Sequence, residues 1–299
     1  MTRAERIQIR AERVRKRNER LGITNNTVST VTTAVIESTD TTTTATPVIH
    51  ELPSVIPEGK LTIEICIHCN FYQKRLSWML NSLLDQKGDL PNLIVNISHT
   101  DLDGEPDTQK VCGFFREKGL NIVETLVTPE EVSNRAIARN LQAMATTADW
   151  ILFMDGDIVF DPYFFDDLQK RLKTILKNVK VVMGADRHSL DDKFSIQYFE
   201  EQDKRVYPCI IENTAEIASK WPVKYKHGKD TCAGYFQLVS VKVLKEKGKG
   251  KITDRPGDHW RRTKSDRALR VRMGGRYGIP NTKPLYHLNH DRLGNGRQR

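Results

Sequence analysis

Two aspartates, Asp155 and Asp157, directly follow the apolar run from Trp150 to Met154, with one glycine between them. An apolar run of this length is typical of a buried strand, so both carboxylates are expected at its carboxyl end. Acidic groups with few other ligands nearby favour Mg²⁺ or Mn²⁺, which bind oxygen and retain positions for the oxygens of a diphosphate. Because Asp-Gly is also a frequent hairpin signal, a tight turn without a metal is the alternative interpretation.

The segments before this motif alternate between strand and helix patterns. Apolar residues at helical spacing run from Leu76 to Leu84. Thr128 and Glu131 have the order of a capping box that opens the helix carrying Arg135 and Arg139. The alternation predicts an α/β fold with a mainly parallel sheet, whose ligands gather at the carboxyl ends of the strands. The strand patterns cover residues 61–70, 92–98 and 121–127.

Four groups of motifs follow one another along the chain. They are Asn70 to Leu76, then Ala136 to Asn140 with Ile151 to Asp157, then Gly234 to Val239, and finally Leu285 to His290. In this order they resemble the GT-A glycosyltransferases, particularly family 2 and its galactosyltransferase-like relatives, with a bacteriophage-type enzyme among the candidates. The resemblance covers most of residues 60–291. It implies a Rossmann-like mixed sheet flanked by helices, and metal-dependent transfer of a sugar from a nucleotide sugar to a hydroxyl group.

The resemblance also implies a donor site. Asp157, together with Asp155, would hold Mn²⁺ or Mg²⁺ against the two phosphates of the nucleotide sugar, and UDP is the nucleotide expected. Breaking the anomeric bond builds negative charge on the leaving diphosphate, which a divalent cation stabilises as a Lewis acid. Asp101 or Asp103, after the second strand pattern, would contact the base or ribose.

Two arginines are candidates for contacts to the same phosphates. Arg139 belongs to the helix before the Asp155 motif, and Arg75 belongs to the first helix. An arginine on an amphipathic helix more often faces solvent, so that interpretation stays open for Arg75.

The acceptor side needs a base to deprotonate the attacking hydroxyl if the reaction inverts the anomeric centre. Asp266 is the candidate, and a salt-bridged aspartate near a helix N-terminus is the alternative. Where relatives carry an acidic pair after a tryptophan, only Asp266 is present here, so the stereochemistry stays undecided. The resemblance favours His287 as a further metal ligand, with His290 in solvent or in a core hydrogen bond.

Two other functional classes remain open. A nucleotidyltransferase could use paired aspartates on a similar sheet to activate a sugar phosphate, but a glycine-rich loop usually follows its first strand, and none is present here. A binding protein on a non-catalytic transferase scaffold is the second alternative, because Asp266 lacks an acidic companion.

Composition divides the chain into three parts. Residues 1–21 carry a heptad-like pattern with eight Lys/Arg and three Glu, which predicts either a short self-associating helix or a basic arm. Residues 22–57 are rich in threonine and predict a disordered linker. Residues 58–299 are expected to form the catalytic domain, with a nucleotide-sugar half (58–160) and an acceptor half (161–299).

Charge bears on the acceptor and on the location. Residues 242–299 contain 17 Lys/Arg and five Asp/Glu, which favours an anionic acceptor. One loop in this region is expected to carry Lys245, Lys247, Lys249 and Lys251. A phosphate-bearing glycan, a lipid-linked diphosphate and hydroxymethylated DNA are the candidates, and DNA binding would weaken steeply with salt. No apolar stretch approaches the roughly 20 residues of a membrane span, and the first 20 residues lack a signal-peptide core, so a cytoplasmic protein is expected. Scattered cysteines, with Cys112 isolated, predict buried structural thiols.

Overall fold

The computed structural model describes residues 60–69, 72–100, 106–128, 131–132, 134–174, 182–191, 197–198, 204–229, 234–254, 262–279 and 282–288. The predicted N-terminal helix (1–21) and linker (22–57) lie outside these residues, as do Asp101, Asp103 and His290. No helix in the described part of the chain combines the length and the apolar composition that a membrane span requires.

Strand and helix alternate along the first half of the chain, as the sequence predicts. The strands are β1 (Thr62–His68), β2 (Asn92–His99), β3 (Ile122–Leu126), β4 (Trp150–Met154), β5 (Ile158–Phe160), β6 (Val182–Gly184), β7 (Arg187–Leu190), β8 (Val223–His227), β9 (Phe236–Ser240), β10 (Arg276–Gly278) and β11 (Leu285–His287). The helices are α1 (Gln73–Leu84), α2 (Pro106–Glu117), α3 (Arg135–Ala145), α4 (Phe164–Thr174), α5 (Thr214–Ser219), α6 (Val241–Gly248) and α7 (Arg262–Met273).

The larger sheet has the strand order β10-β6-β9-β4-β1-β2-β3. Strands β4, β1, β2 and β3 are parallel neighbours, whereas β9 runs antiparallel between β4 and β6. The predicted α/β fold with a mainly parallel sheet is therefore confirmed. Because β1 to β4 run in the same direction, the residues that follow them meet at one edge of the sheet.

Both faces of this sheet are buried. Ile63, Ile65 and Ile67 of β1 pack on one side with apolar residues of α1, α2 and α4. Ile151 and Phe153 of β4 pack on the other side with residues of α3, α6 and α7. Two-sided burial explains the nearly continuous apolar composition of β1 and β4.

A smaller sheet, with the order β5-β11-β7-β8, joins the first at the Asp155 motif. The chain leaves β4, passes through Asp155, Gly156 and Asp157, and enters β5. β5 pairs with β11 rather than with β4, so the motif connects two sheets and is not a hairpin turn.

The predicted capping box is present, but it does not open α3 directly. The Thr128 amide donates to Glu131 Oε2 (3.0 Å), and the Glu131 amide donates to Thr128 Oγ1 (3.3 Å). α3 begins at Arg135, and its cap is Asn134, whose side chain accepts from the Ala136 amide (3.1 Å). The box therefore closes a separate turn, and the helix starts later than the sequence predicts.

The expectation that Lys245 and Lys247 lie in a loop is wrong. Both belong to α6, and each donates to a backbone carbonyl at the end of another helix. Lys245 Nζ donates to Thr146 (2.9 Å) and Lys247 Nζ donates to Met273 (3.0 Å). Cations are favourable at these positions because the last carbonyls of a helix carry partial negative charge.

Cys112 is not isolated either. It lies beside His99 and Glu124, and one ligand atom from each of these buried residues falls within 4.8 Å of the others. Glu124 is held by His99 Nε2 (2.7 Å) and by Arg116 Nη2 (2.7 Å). Burial raises the pKa of the Cys112 thiol, which keeps it neutral. The cluster joins β2, β3 and α2 at the edge of the sheet.

We expect Glu124→Gln to lower the free energy of unfolding by about 1–2 kcal/mol, because it removes the negative charge that accepts hydrogen bonds from His99 and Arg116, while the part-exposed Arg116 regains contact with water. Burial alone would raise the pKa of Glu124, but hydrogen bonds from His99 and Arg116 outweigh burial and hold it below the ordinary 4.5. The contribution is therefore fully present above pH 4.5 and is lost as the pH falls through the lowered value.

Urea unfolding of the wild type and the variant across this pH range measures both effects. Glu117→Gln, at an exposed position next to Arg116 in α2, is the control and should change stability by less than about 0.5 kcal/mol. An equal loss in both variants would contradict a special role for Glu124.

Candidate active site

The connection between β4 and β5 brings Asp157 against the last described strand. His287 of β11 is paired with Ile158, and the Leu288 amide donates to the Asp157 carbonyl (2.8 Å). This pairing places His287 Nε2 3.4 Å from Asp157 Oδ2. The two residues are 130 positions apart in the sequence, and the antiparallel pairing of β5 with β11 is what joins them.

Asp155 faces in a different direction, towards α3. Its Oδ1 accepts a hydrogen bond from Arg135 Nη1 at 2.6 Å, and both side chains keep about a quarter of their surface exposed. Gly156 separates the two aspartates, and a Cβ atom at this position would lie 3.1 Å from Ile67. The glycine therefore lets the connection pass close to β1.

Arg135 lies at the centre of the acidic groups of the site. The charge of Asp155, with smaller contributions from Asp266 and Asp157, raises the pKa of its guanidinium. From the sequence, Arg135 is identified only as a member of its helix. Its position in the first turn of α3, which faces the end of β4, is the signal that could have identified it.

His68, the last residue of β1, supports this arrangement. Its Nε2 donates to the Val132 carbonyl (2.5 Å), and its Nδ1 faces Ser98 Oγ (3.0 Å). Burial, followed by the charge of Arg135, lowers the pKa of His68 to about 3. The imidazole is therefore neutral, and it connects β1 to the turn before α3 without adding positive charge.

Arg139 and Asp266 form a second ion pair, between α3 and α7. Arg139 is 2% exposed, its Nη1 lies 2.5 Å from Asp266 Oδ1, and its Nη2 donates to the Gly234 carbonyl (3.3 Å). Gln237 Nε2 donates to the Asp266 carbonyl (3.2 Å). Asp266 is thus salt-bridged near the start of α7, which agrees with its alternative interpretation and leaves a role as a base untested.

Gly234 is required by this ion pair. A Cβ atom built there would lie under 3 Å from all three carboxylate atoms of Asp266, because the carboxylate packs directly on the glycine. Arg139 fixes that carboxylate from the other side, so the side chain has little freedom to move away.

The Asp157 and His287 side chains fit one divalent ion. Two adjacent ligands of an octahedral ion are separated by about 3 Å when each bond is about 2.1 Å, so a separation of 3.4 Å needs little adjustment. A carboxylate oxygen with an imidazole nitrogen suits Mn²⁺ better than Mg²⁺, which prefers oxygen ligands only. Asp155 is held by Arg135 and lies outside this pair of ligands.

The structure thus brings Asp155, Asp157, Arg139, Asp266 and His287 into one region. Arg75 is 4% exposed, so the interpretation that it faces solvent is wrong. Asp101 and Asp103 follow β2 outside the described residues, and their roles stay predictions.

Comparison with known proteins gives two kinds of match. The sequence profile of Glycosyl transferase family 2 matches residues 65–246. No curated protein matches the sequence. Among solved structures, S. aureus TarS is similar at 13% identity and a TM-score of 0.50, over 76% of this chain and 36% of that chain.

A fragment of the same protein, TarS 1–349 in complex with UDP, is similar at 12% identity and a TM-score of 0.51. The match covers 77% of this chain and 61% of the fragment. This chain therefore spans about a third of TarS, and at such identities the likeness concerns the fold.

Because the family profile covers more than half of the sequence, from β1 into α6, this chain with its GT-A fold belongs to glycosyl transferase family 2.

Proposed function

We propose that this chain transfers a sugar from a UDP-sugar to a hydroxyl acceptor, and that a divalent ion, best Mn²⁺, takes part. The observation that carries the proposal is the Asp157–His287 pair at the carboxyl edge of the sheet, beside the Arg135 cation. The UDP complex of the TarS fragment supports UDP as the nucleotide. Family membership favours sugar transfer over activation of a sugar phosphate.

Asp157 and His287 would hold the metal ion, with oxygens of the diphosphate in its remaining positions. A bound divalent cation supplies Lewis-acid stabilisation of the leaving diphosphate, worth several kcal/mol. The chain positions both ligands by strand pairing, so neither needs a large rearrangement to reach the ion.

Arg135 would add the second positive group at the diphosphate. Asp155 orients its guanidinium, and Asp157 is close enough for its charge to contribute to the raised pKa of Arg135. A planar guanidinium can donate to Asp155 through one edge and to a phosphate oxygen through the other. Asp155 would therefore act by orienting Arg135 as well as by its own charge.

Asp266 would serve as the base for the acceptor hydroxyl. Arg139 binds its Oδ1, which leaves Oδ2 for the proton of the attacking hydroxyl. The ion pair also fixes the carboxylate on Gly234, and a fixed geometry is what a general base needs.

The first test measures nucleoside diphosphate release from a panel of nucleotide sugars with Mn²⁺, Mg²⁺ or a chelator. We expect metal-dependent release from a UDP-sugar, fastest with Mn²⁺, and a loss of at least about 100-fold in Asp157→Asn. Asp167→Asn, which changes a half-buried carboxylate of α4, is the control and should retain activity. Release that persists in chelator and in Asp157→Asn would refute the metal-dependent mechanism.

A second prediction concerns Arg135. We expect Arg135→Gln to lower kcat/KM for the donor about 10- to 100-fold, because one charged hydrogen bond to the diphosphate is lost. Arg135→Lys should recover only part of this loss, since an ammonium group cannot bridge Asp155 and a phosphate through two edges. Steady-state kinetics with full recovery in the lysine variant would contradict the bridging role.

The third prediction separates Asp266 from the donor site. Asp266→Asn and Gly234→Ala should both reduce transfer to an acceptor by at least about 100-fold and leave UDP binding within about threefold of the wild type. In the alanine variant the new Cβ displaces the carboxylate without removing it. Normal transfer by Asp266→Asn would exclude Asp266 as the base.

A further inference from the structure

One face of the smaller sheet carries polar side chains next to the metal ligands. His287 of β11 is paired with Ser189 of β7, and Arg187 of β7 is paired with His227 of β8. Paired residues point to the same face of a sheet, as do residues two apart on one strand. His287, Ser189, Arg187 and His227 therefore share one face.

The opposite face has a different role. Val159, Leu190 and Leu288 point that way, and they belong to an apolar cluster with Trp78 and Trp221. On the polar face, Ile158, Phe160 and Leu285 belong to the main apolar cluster with residues of α1. Ser189, Arg187 and His227 continue that face beyond the apolar residues, towards β8.

Arg187 is a cation without an acidic partner in the described part of the chain. Its guanidinium lies over the ring of Tyr235, with the central carbon 4.1 Å from the ring centroid. Arg187 and His227 are half-buried, so this end of the face borders solvent. A guanidinium over an aromatic ring can still donate hydrogen bonds from its edges to an anion.

Three polar atoms on this face are buried without a hydrogen-bond partner among the described residues. They are Arg187 Nε, Ser189 Oγ and His227 Nε2. Buried polar atoms normally have partners, and leaving one unpaired costs about 1–3 kcal/mol. Three such atoms on one face indicate that a polar ligand completes the structure.

Arg187, Ser189 and His227 lie apart from the position proposed for the diphosphate. Ser189 lies one strand from His287, about 4.8 Å away along the hydrogen-bonding direction, and Arg187 lies about 6.6 Å further along β7. Arg135 approaches the metal ligands from α3, whereas this group approaches from β7 and β8. Burial, followed by the charge of Arg187, lowers the pKa of His227, which keeps this imidazole neutral.

We propose that Arg187, Ser189 and His227 bind a phosphate group carried by a carbohydrate acceptor. The inference rests on the proposed function, because it assigns the acceptor of the same site. A guanidinium, a hydroxyl and an imidazole can each donate to one of the terminal oxygens of a phosphate monoester. Tyr235 is buried beneath Arg187, so its ring holds the guanidinium in place and does not itself contact the ligand.

The test is a calorimetric titration of the full chain, saturated with UDP and Mn²⁺, with glucose 6-phosphate and with glucose as probes. The wild type should bind the phosphorylated probe at least about 10-fold more tightly than glucose, and Arg187→Gln should abolish the difference. Lys226→Gln is the matched control, because Lys226 is the neighbour of His227 on β8 and points to the opposite face. It should keep the preference.

Arg187→Lys tests whether a folding defect explains the result. It keeps the positive charge, so it should retain part of the preference for the phosphorylated probe, and its melting temperature should lie within a few degrees of that of the wild type. Equal affinity for both probes, an unchanged preference in Arg187→Gln, or an equal loss in Lys226→Gln would overturn the proposal. A short DNA duplex is a further probe, and tight duplex binding that only Arg187→Gln removes would assign nucleic acid instead of carbohydrate.

Failure of the proposed function gives a different result. If UDP with Mn²⁺ does not bind, the donor site is refuted, and the same titrations without UDP still measure whether Arg187 binds phosphate. If UDP binds and the phosphate preference is absent, the donor site stands and the acceptor assignment falls.

Discussion

Mutual repulsion of carboxylates is the constraint around which this site is arranged. Asp155, Asp157 and Asp266 converge from two strand ends and a helix, and two of them are paired with arginines of α3. Arg135 and Arg139 are four residues apart, so one face of one helix supplies both compensating charges. The packing of α3 against β1 and β4 thus determines where negative charge can collect at this edge.

Much of this arrangement could be predicted from the sequence. The apolar run before Asp155 indicated a buried strand, and the alternation of patterns indicated a parallel sheet whose ends meet. Family resemblance alone indicated His287 as a site residue, because nothing local in Pro284 to His287 predicts a pairing with β5. Long-range strand pairing depends on the whole fold, and a local pattern records only which face is apolar.

The incorrect predictions also arise from contacts between residues that are distant in the sequence. Lys245 and Lys247 read as a loop because lysine and glycine alternate there, yet carbonyls at the ends of other helices stabilise them as part of α6. Cys112 looked isolated because its partners come from β2 and β3, and α2 itself had not been identified. Arg135 could not be identified as a site residue from the sequence, because the residues around it do not indicate which acidic group it pairs with.

The order of the strands along the chain has a consequence for synthesis. β11 follows every other described strand in sequence, yet it lies inside the smaller sheet, between β5 and β7. Until β11 is inserted, Asp157 has no histidine beside it, and β5 and β7 have no common neighbour. Pairing between strands so far apart in the sequence is slow. The entropy cost of closing the intervening chain is incurred before any contact between the strands stabilises it. A ribosome-bound chain that has not yet released β11 therefore lacks the Asp157–His287 pair, so this part of the candidate site forms only after nearly all of the described chain has been synthesised.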